Sequence, residues 1–257
     1  MSTRNIAVPG AHNIRDLGGY KTPSGHTKWR RILRADGLHR MPAASVAQLR
    51  ELGVRTVIDL RWDQELIAGP NPFRDHAEVR YVNISLIDIL VLETVKATNA
   101  GGGNVLLSLY CQALADKQPE IRAVLTAIAE AEPGIVLFHC TNGKDRTGII
   151  AALLLALVGV GEAEIVEDYA LTKAQIAPLL GEKIAYAQAR GENMGHYLAL
   201  LECEAETIRH FLDHLAAEHG GVLAYLAKIG IDLETSARLR ARLLEEPAAP
   251  QPARRRC

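Results

Sequence analysis

The chain has 257 residues, 48% of them hydrophobic and 23% charged, which is ample apolar material for a buried core. Its 29 Lys and Arg face 30 Asp and Glu, so nothing in the overall charge calls for nucleic acid, and any anion site has to be made locally. The four cysteines, Cys111, Cys140, Cys203 and Cys257, show no CxxC or other zinc-ligand spacing, which points to free thiols in a reducing compartment and to no metal. The opening MSTRNIAVPG lacks a basic segment followed by an apolar stretch, so a cytoplasmic location is expected. The most apolar run, 149–161, falls well short of the roughly 20 residues of a spanning helix and reads as a buried core helix, with no integral membrane segment expected.

In chain order, Gly18, Gly19, Pro23 and Gly25 punctuate a segment whose later part, Thr27 to Arg34, reads as a strand of a small N-terminal hairpin. Pro42 suits the first turn of a helix carrying Val46, Leu49 and Leu52, ended by Gly53. Extended segments follow at Thr56 to Leu60 and Arg80 to Leu86, then a loop containing Gly101 to Gly103, helices over Val105 to Ala115 and Pro119 to Ala131, and a third strand, Ile135 to His139. Strands alternating with helices predict an α/β fold with a largely parallel central sheet flanked by helices.

From Glu162 onward the pattern is helical: 163–171, 174–190, 195–218, 222–228 and 233–244, with Asp232 as the N-cap of the last. The tail 247–257, with three prolines and three arginines, reads as disordered. No repeat or linker divides the rest, so one domain over 1–246 is expected.

The informative segment is IVLFHCTNGKDRTGIIAALLLALV: a strand, a turn from Cys140 to Arg146, and a long apolar helix. A turn entering a helix aims backbone N–H groups at one point, where the helix dipole also favours negative charge. Thr141, Asn142, Gly143, Lys144, Asp145 and Arg146 therefore form a candidate phosphate cradle, with Gly143 permitting the bend and Arg146 supplying a bidentate fork. The same field stabilises a thiolate at Cys140, and Thr147 is placed to donate a hydroxyl to that sulfur. The Gly143-Lys144 pair is not a Walker A loop, because Phe138 and Asp145 stand where that motif needs Gly and Ser or Thr. Asp59 and Arg61 end the first long strand beside this loop and read as supports that fix its geometry. Asn13, Arg15 and Asp16 are candidates to tie the N-terminal segment to it.

This loop matches the CxxxxxR signature of the protein tyrosine phosphatase superfamily, and HCTNGKDRTG resembles its atypical bacterial tyrosine and lipid phosphatase branch. PGAHNIRDLGGY, IDLRWDQE and VEDYALT also resemble that branch, so the likeness covers roughly 8–245. The resemblance implies a phosphatase-like fold with a helical C-terminal half, and a phosphocysteine intermediate formed at Cys140 while Arg146 and loop amides hold the phosphate oxygens. It implies a carboxylic acid for the leaving group and no cofactor. Asp145, inside the loop, and Asp88, after the second extended segment, are the two candidates, since the tryptophan-proline-aspartate acid loop of many tyrosine phosphatases is absent: Trp29 and Trp62 precede Arg30 and Asp63. His139 is implied to brace the loop and tune the thiol, and helices over about 173–203 to form a lid.

The implied substrates are phosphoproteins bearing phosphotyrosine, with phosphoserine, phosphothreonine and phosphoinositides open. Lys144 favours the last as a cation beside Arg146, whereas Thr141 stands where tensin-related lipid phosphatases carry lysine. The alternatives are a non-catalytic phosphate-binding module and a thiol-based sulfurtransferase or arsenate reductase.

Overall fold

The computed structural model describes residues 4–87 and 104–245. Its central sheet has the strand order β1 (Arg15–Asp16), β4 (Ile32–Ala35), β7 (Ile135–His139), β5 (Val54–Asp59), β6 (Arg80–Asn83). β1 is antiparallel to β4, and the other pairs are parallel. The register sets Ala35 and Asp59 on either side of His139, and Asn83 beside Asp59. Four strands thus end together, the edge at which open parallel sheets carry their sites.

Alternation along the strands divides the core. Val136 and Phe138 face the larger apolar cluster, built mostly from the helices that follow residue 104, while Ile135 and Leu137 face a smaller one with Leu49 and Phe73. Ile32 goes to the first face and Leu33 and Ala35 to the second. That two-sided burial makes 32–35 an inner strand. The hairpin expected there lies earlier, between β2 (Lys21–Thr22) and β3 (Gly25–His26).

Helix α1 (Ala43–Leu52) follows Pro42 and stops at Gly53, whose φ of 110° suits a residue without Cβ. A short α2 (Asp63–Ala68) carries Glu65. After the undescribed stretch come α3 (Val105–Asp116) and α4 (Gln118–Ala129), then α5 (Asp145–Leu157), nearly all of it buried. The C-terminal half consists of α6 (Glu162–Ile176), α7 (Leu180–Ala189), α8 (Met194–Leu201), α9 (Ala205–His219), α10 (Val222–Lys228) and α11 (Leu233–Leu243). Asp232 accepts from Thr235 N–H at 2.7 Å and caps α11.

Two long helices expected from periodicity are broken. Pro178 sits in a 3₁₀ turn, Ala177–Leu179, between α6 and α7, because it has no N–H to continue the α-helical ladder. The second break separates α8 from α9, where the carbonyls of Leu200 and Glu202 are taken by the Lys144 ammonium at 2.6 Å each. No described helix is long and apolar enough to cross a membrane.

Candidate active site

The loop between β7 and α5 runs from Cys140, 1% exposed, to Arg146, at the sheet edge where the strands end. Its shape follows from where its carbonyls go. Cys140 O receives His139 Nδ1 at 3.0 Å, Thr141 O receives Gly37 N–H at 3.0 Å, and Lys144 O receives Gly148 N–H at 2.7 Å. Asn142 O accepts from Asn13 Nδ2 at 3.0 Å, and Gly143 O from the same amide at 3.3 Å and from Arg34 at 2.7 Å. Every peptide here is trans, so an N–H points opposite the carbonyl that precedes it. With the carbonyls of Cys140 to Gly143 taken by groups outside the loop, the N–H groups of Thr141 to Lys144 point away from those anchors. Gly143, at φ 63°, lies so close to β4 that an added Cβ would stand 2.5 Å from Ala35 O.

Behind the loop lies a buried ion-pair cluster that sequence reasoning did not assemble. Asp168, on α6, bonds Arg15 Nε at 2.9 Å, Arg34 at 2.5 Å and the Tyr20 hydroxyl at 2.8 Å. Arg15 also donates to Asn13 Oδ1, so the two arginines carry the hold on the loop back to one carboxylate. Burial pushes the Asp168 carboxyl up, but Arg15 and Arg34 overcome it and hold it below the usual carboxylate range. Asn13 thus reaches the loop and Arg15 acts on it only through Asn13, whereas Asp16 turns away to bond Gly18 and Arg30 N–H groups. Asp168 and Arg34 sit in helix and strand segments whose sequence carries no sign of pairing; the presence of Asp168 in VEDYALT was the available signal.

Arg146 is clamped by Glu65, with 2.5 and 2.8 Å contacts to the two carboxylate oxygens. Burial opposes the Arg146 charge, yet the Glu65 bond and the charges of Cys140, Glu65 and Asp145 raise its pKa. Burial likewise pushes Glu65 up, and Arg146 then brings its carboxyl below the ordinary value. Thr141 Oγ1 also donates to Glu65. Thr147 Oγ1 is buried with no hydrogen-bond partner among the described residues, so the expected bond to Cys140 is not formed.

Asp145 lines the cleft and accepts from the Tyr110 hydroxyl at 2.7 Å, itself 2.7 Å from the Tyr169 hydroxyl. Asp88 lies outside the described residues, as does the tail 247–257. Lys144 departs from expectation: its side chain is 0% exposed, and its ammonium caps the end of α8, 3.3 Å from Asp145 Oδ1. Asp59 and Arg61 form a buried pair at 2.7 Å, and Arg61 donates to Gly69 O at 2.9 Å. Burial pushes Asp59 up, but His139 and Arg61 hold it well below the usual range. Asn71 Nδ2 bridges Asp59, at 2.9 Å, to His139 Nε2, at 2.8 Å. Because a carbonyl only accepts, the contact with Cys140 O calls for a proton on His139 Nδ1.

Over the loop opens a cleft of about 290 Å³, with Thr141, Asn142, Asp145 and Arg146 at one end and Trp62, Ile87, Leu106, Leu109 and Leu200 along its walls. Helices α7 and α8, in the segment expected to form a lid, add Lys183 and Tyr197.

A model of the tyrosine phosphatase family matches residues 6–245. This chain belongs to that family. Members share its phosphatase chemistry, so the substrates are phosphorylated compounds and the chain is a phosphatase of the tyrosine phosphatase kind. A tyrosine-protein phosphatase of Nostoc commune is 34% identical over 82% of this chain and 74% of its own length. The triple specificity protein phosphatase PtpB of Mycobacterium tuberculosis is 27% identical over 95% of this chain and 100% of its own. Among solved structures, P. aeruginosa TpbA is 23% identical, covering 60% of this chain and 78% of that one, with a TM-score of 0.36.

Proposed function

We propose that the protein hydrolyses phosphotyrosine monoesters by nucleophilic catalysis at Cys140. The observation that carries this reading is the anchoring of the loop carbonyls by groups outside the loop around a buried Cys140, which turns the intervening amide N–H groups away from those anchors and makes them available to an anion. Donors so fixed hold phosphate oxygens without reorganising as charge shifts during transfer. In the first step the Cys140 sulfur attacks phosphorus as the P–O bond to the leaving group breaks, and Asp145 gives that oxygen a proton. In the second step water attacks phosphorus, Asp145 takes a proton from it, and the S–P bond breaks to return the thiolate and free phosphate. Arg146, held by Glu65, meets two of the phosphate oxygens as a fork. Asp59, Arg61 and His139 support the end of the loop.

Phosphotyrosine is favoured over other esters because the cleft walls offer Trp62 and several aliphatic side chains to a ring. The case for phosphoinositides rests on Lys144 beside Arg146, and Lys144 is engaged at the end of α8 instead. The name of the Mycobacterium tuberculosis relative speaks of three specificities without naming them, so phosphoserine, phosphothreonine and phosphoinositide substrates all belong in the comparison.

The test is a panel of phosphotyrosine, phosphoserine and phosphoinositide substrates. Cys140→Ser is expected to release no phosphate while still binding it, and Asp145→Ala to lose about 10²- to 10⁴-fold in turnover of phosphotyrosine peptide. Retained turnover in Cys140→Ser removes the mechanism. Full activity in Asp145→Ala together with its loss in Asp88→Ala moves the acid to Asp88.

A further inference from the structure

The charges that face the cleft can be counted. Glu65 and Arg146 are spent on each other through two hydrogen bonds. Asp145 takes the Tyr110 hydroxyl and lies 3.3 Å from the Lys144 ammonium. Among the described residues, the remaining charged side chain on the lining is Lys183, near the start of α7. It is half-buried, and the groups that act on its charge, Arg40, Asp36, Glu182 and Cys140, do so through space and not through a hydrogen bond. Its neighbour Glu182 is taken by Arg40 through a two-point contact of 2.6 and 2.5 Å.

We propose that Lys183 is the second cation of the phosphate site, delivered by α7 across the cleft in the role that the sequence assigns to Lys144. The proposal deepens the phosphatase reading and rests on it for the nature of the anion. A phosphate monoester brings two negative charges, whereas the Arg146–Glu65 pair offers a net charge of about zero until Arg146 is shared with substrate. Lys183 supplies positive charge that, among the described residues, no carboxylate holds by a bond. Burial first, and Arg40 second, pull its pKa down, so an arriving anion relieves a cation already short of solvation.

Lys183 also lines a second cavity of about 400 Å³ beside the first, and Glu65, Thr141 and Tyr197 line both. Lys183 is thus shared by two adjoining spaces that a residue of the loop, Thr141, also lines. The Arg40–Glu182 contact ties the helix that carries it to the segment following β4.

Binding of inorganic phosphate, followed by calorimetry and as competitive inhibition, is measured on wild type, Lys183→Met and Lys183→Arg at two ionic strengths. The Met variant, which keeps the aliphatic stem, is expected to bind phosphate at least about tenfold more weakly, with a flatter salt dependence. KM for a phosphotyrosine peptide is expected to rise in parallel while kcat changes much less, and the Arg variant to regain most of the affinity. Unchanged phosphate affinity in Lys183→Met, or an Arg variant as weak as Met, overturns the proposal. Turnover of wild type keeps the two readings apart. An inert wild type whose phosphate binding still falls in Lys183→Met removes the hydrolase and supports the cation; an active enzyme indifferent to the substitution removes the cation alone.

Discussion

At the scale of single residues, the site depends on one backbone position. Gly143 holds φ at 63° and has no room for a Cβ, which would meet Ala35 O at 2.5 Å, Ala35 C at 2.7 Å and Asn13 Nδ2 at 2.8 Å. The first two atoms are backbone and the third donates to the loop, so none can yield without moving β4 or releasing a carbonyl. Gly143→Ala is therefore expected to cost more than about 1 kcal/mol from the left-handed conformation alone, and to remove most phosphatase activity. A denaturant titration beside a turnover assay checks this; an alanine variant with wild-type activity would show that the loop is not held as described. The placement of Cys140, Gly143 and Arg146 around one turn between strand and helix was legible in sequence, because they are near neighbours along the chain. It was not legible for Lys144. A lysine next to an anion-binding arginine reads as a second cation, yet its long stem reaches the carbonyls that end α8, and a helix over 50 residues downstream decides where the charge goes.

At the scale of elements, the loop is held by pieces brought together from distant parts of the chain. β1 contributes Arg15, β4 contributes Arg34, and α6 contributes Asp168, whose side chain is 1% exposed beside arginines at 0% and 1%. Asp168→Asn keeps the shape but leaves two guanidinium groups buried without their counter-charge, which is expected to destabilise the fold by about 3–5 kcal/mol. Thermal or denaturant midpoints measure it, and a variant as stable as wild type would mean that the arginines find other acceptors. Sequence patterning located most of these elements: β7, α10 and the C-capping glycine of α1 fall where periodicity and turn chemistry put them. Periodicity misjudged the ends of α7 and α8, since a helix-forming pattern continues through breaks set by Pro178 and by the Lys144 ammonium. It also took β4 for part of a hairpin, because three apolar residues among four look the same whether one or both faces of the strand are covered.

At the scale of the whole molecule, two buried carboxylates joining distant segments make folding sensitive to acid. Asp59 and Asp168 both have pKa values held below those of an unfolded chain. A depressed folded pKa means that the stabilisation is complete above the unfolded value of about 3.9 and is lost as pH falls through it toward the folded one. Stability is thus expected to be flat, as far as these two groups determine it, from neutral pH down to about 5 and to drop below about 4. Denaturant midpoints across that range test this, and in Asp168→Asn the acid-dependent drop should shrink; an equal drop in both proteins would assign the acid sensitivity to other carboxylates.

The amino-acid sequence by itself determined the class of fold and singled out the strand-turn-helix segment that carries Cys140 and Arg146, because strand-helix alternation and a CxxxxxR turn are properties of neighbouring residues. Tertiary structure decided what surrounds that turn. Glu65 clamps Arg146, Asn13 and Arg34 pull the loop carbonyls outward, Asp168 neutralises the arginines behind them, and Lys183 rather than Lys144 faces the cleft. The reason is physical. A buried charge is tolerated only where partners converge on it from several elements, and the reach and direction of those side chains exist only once the sheet and helices are packed.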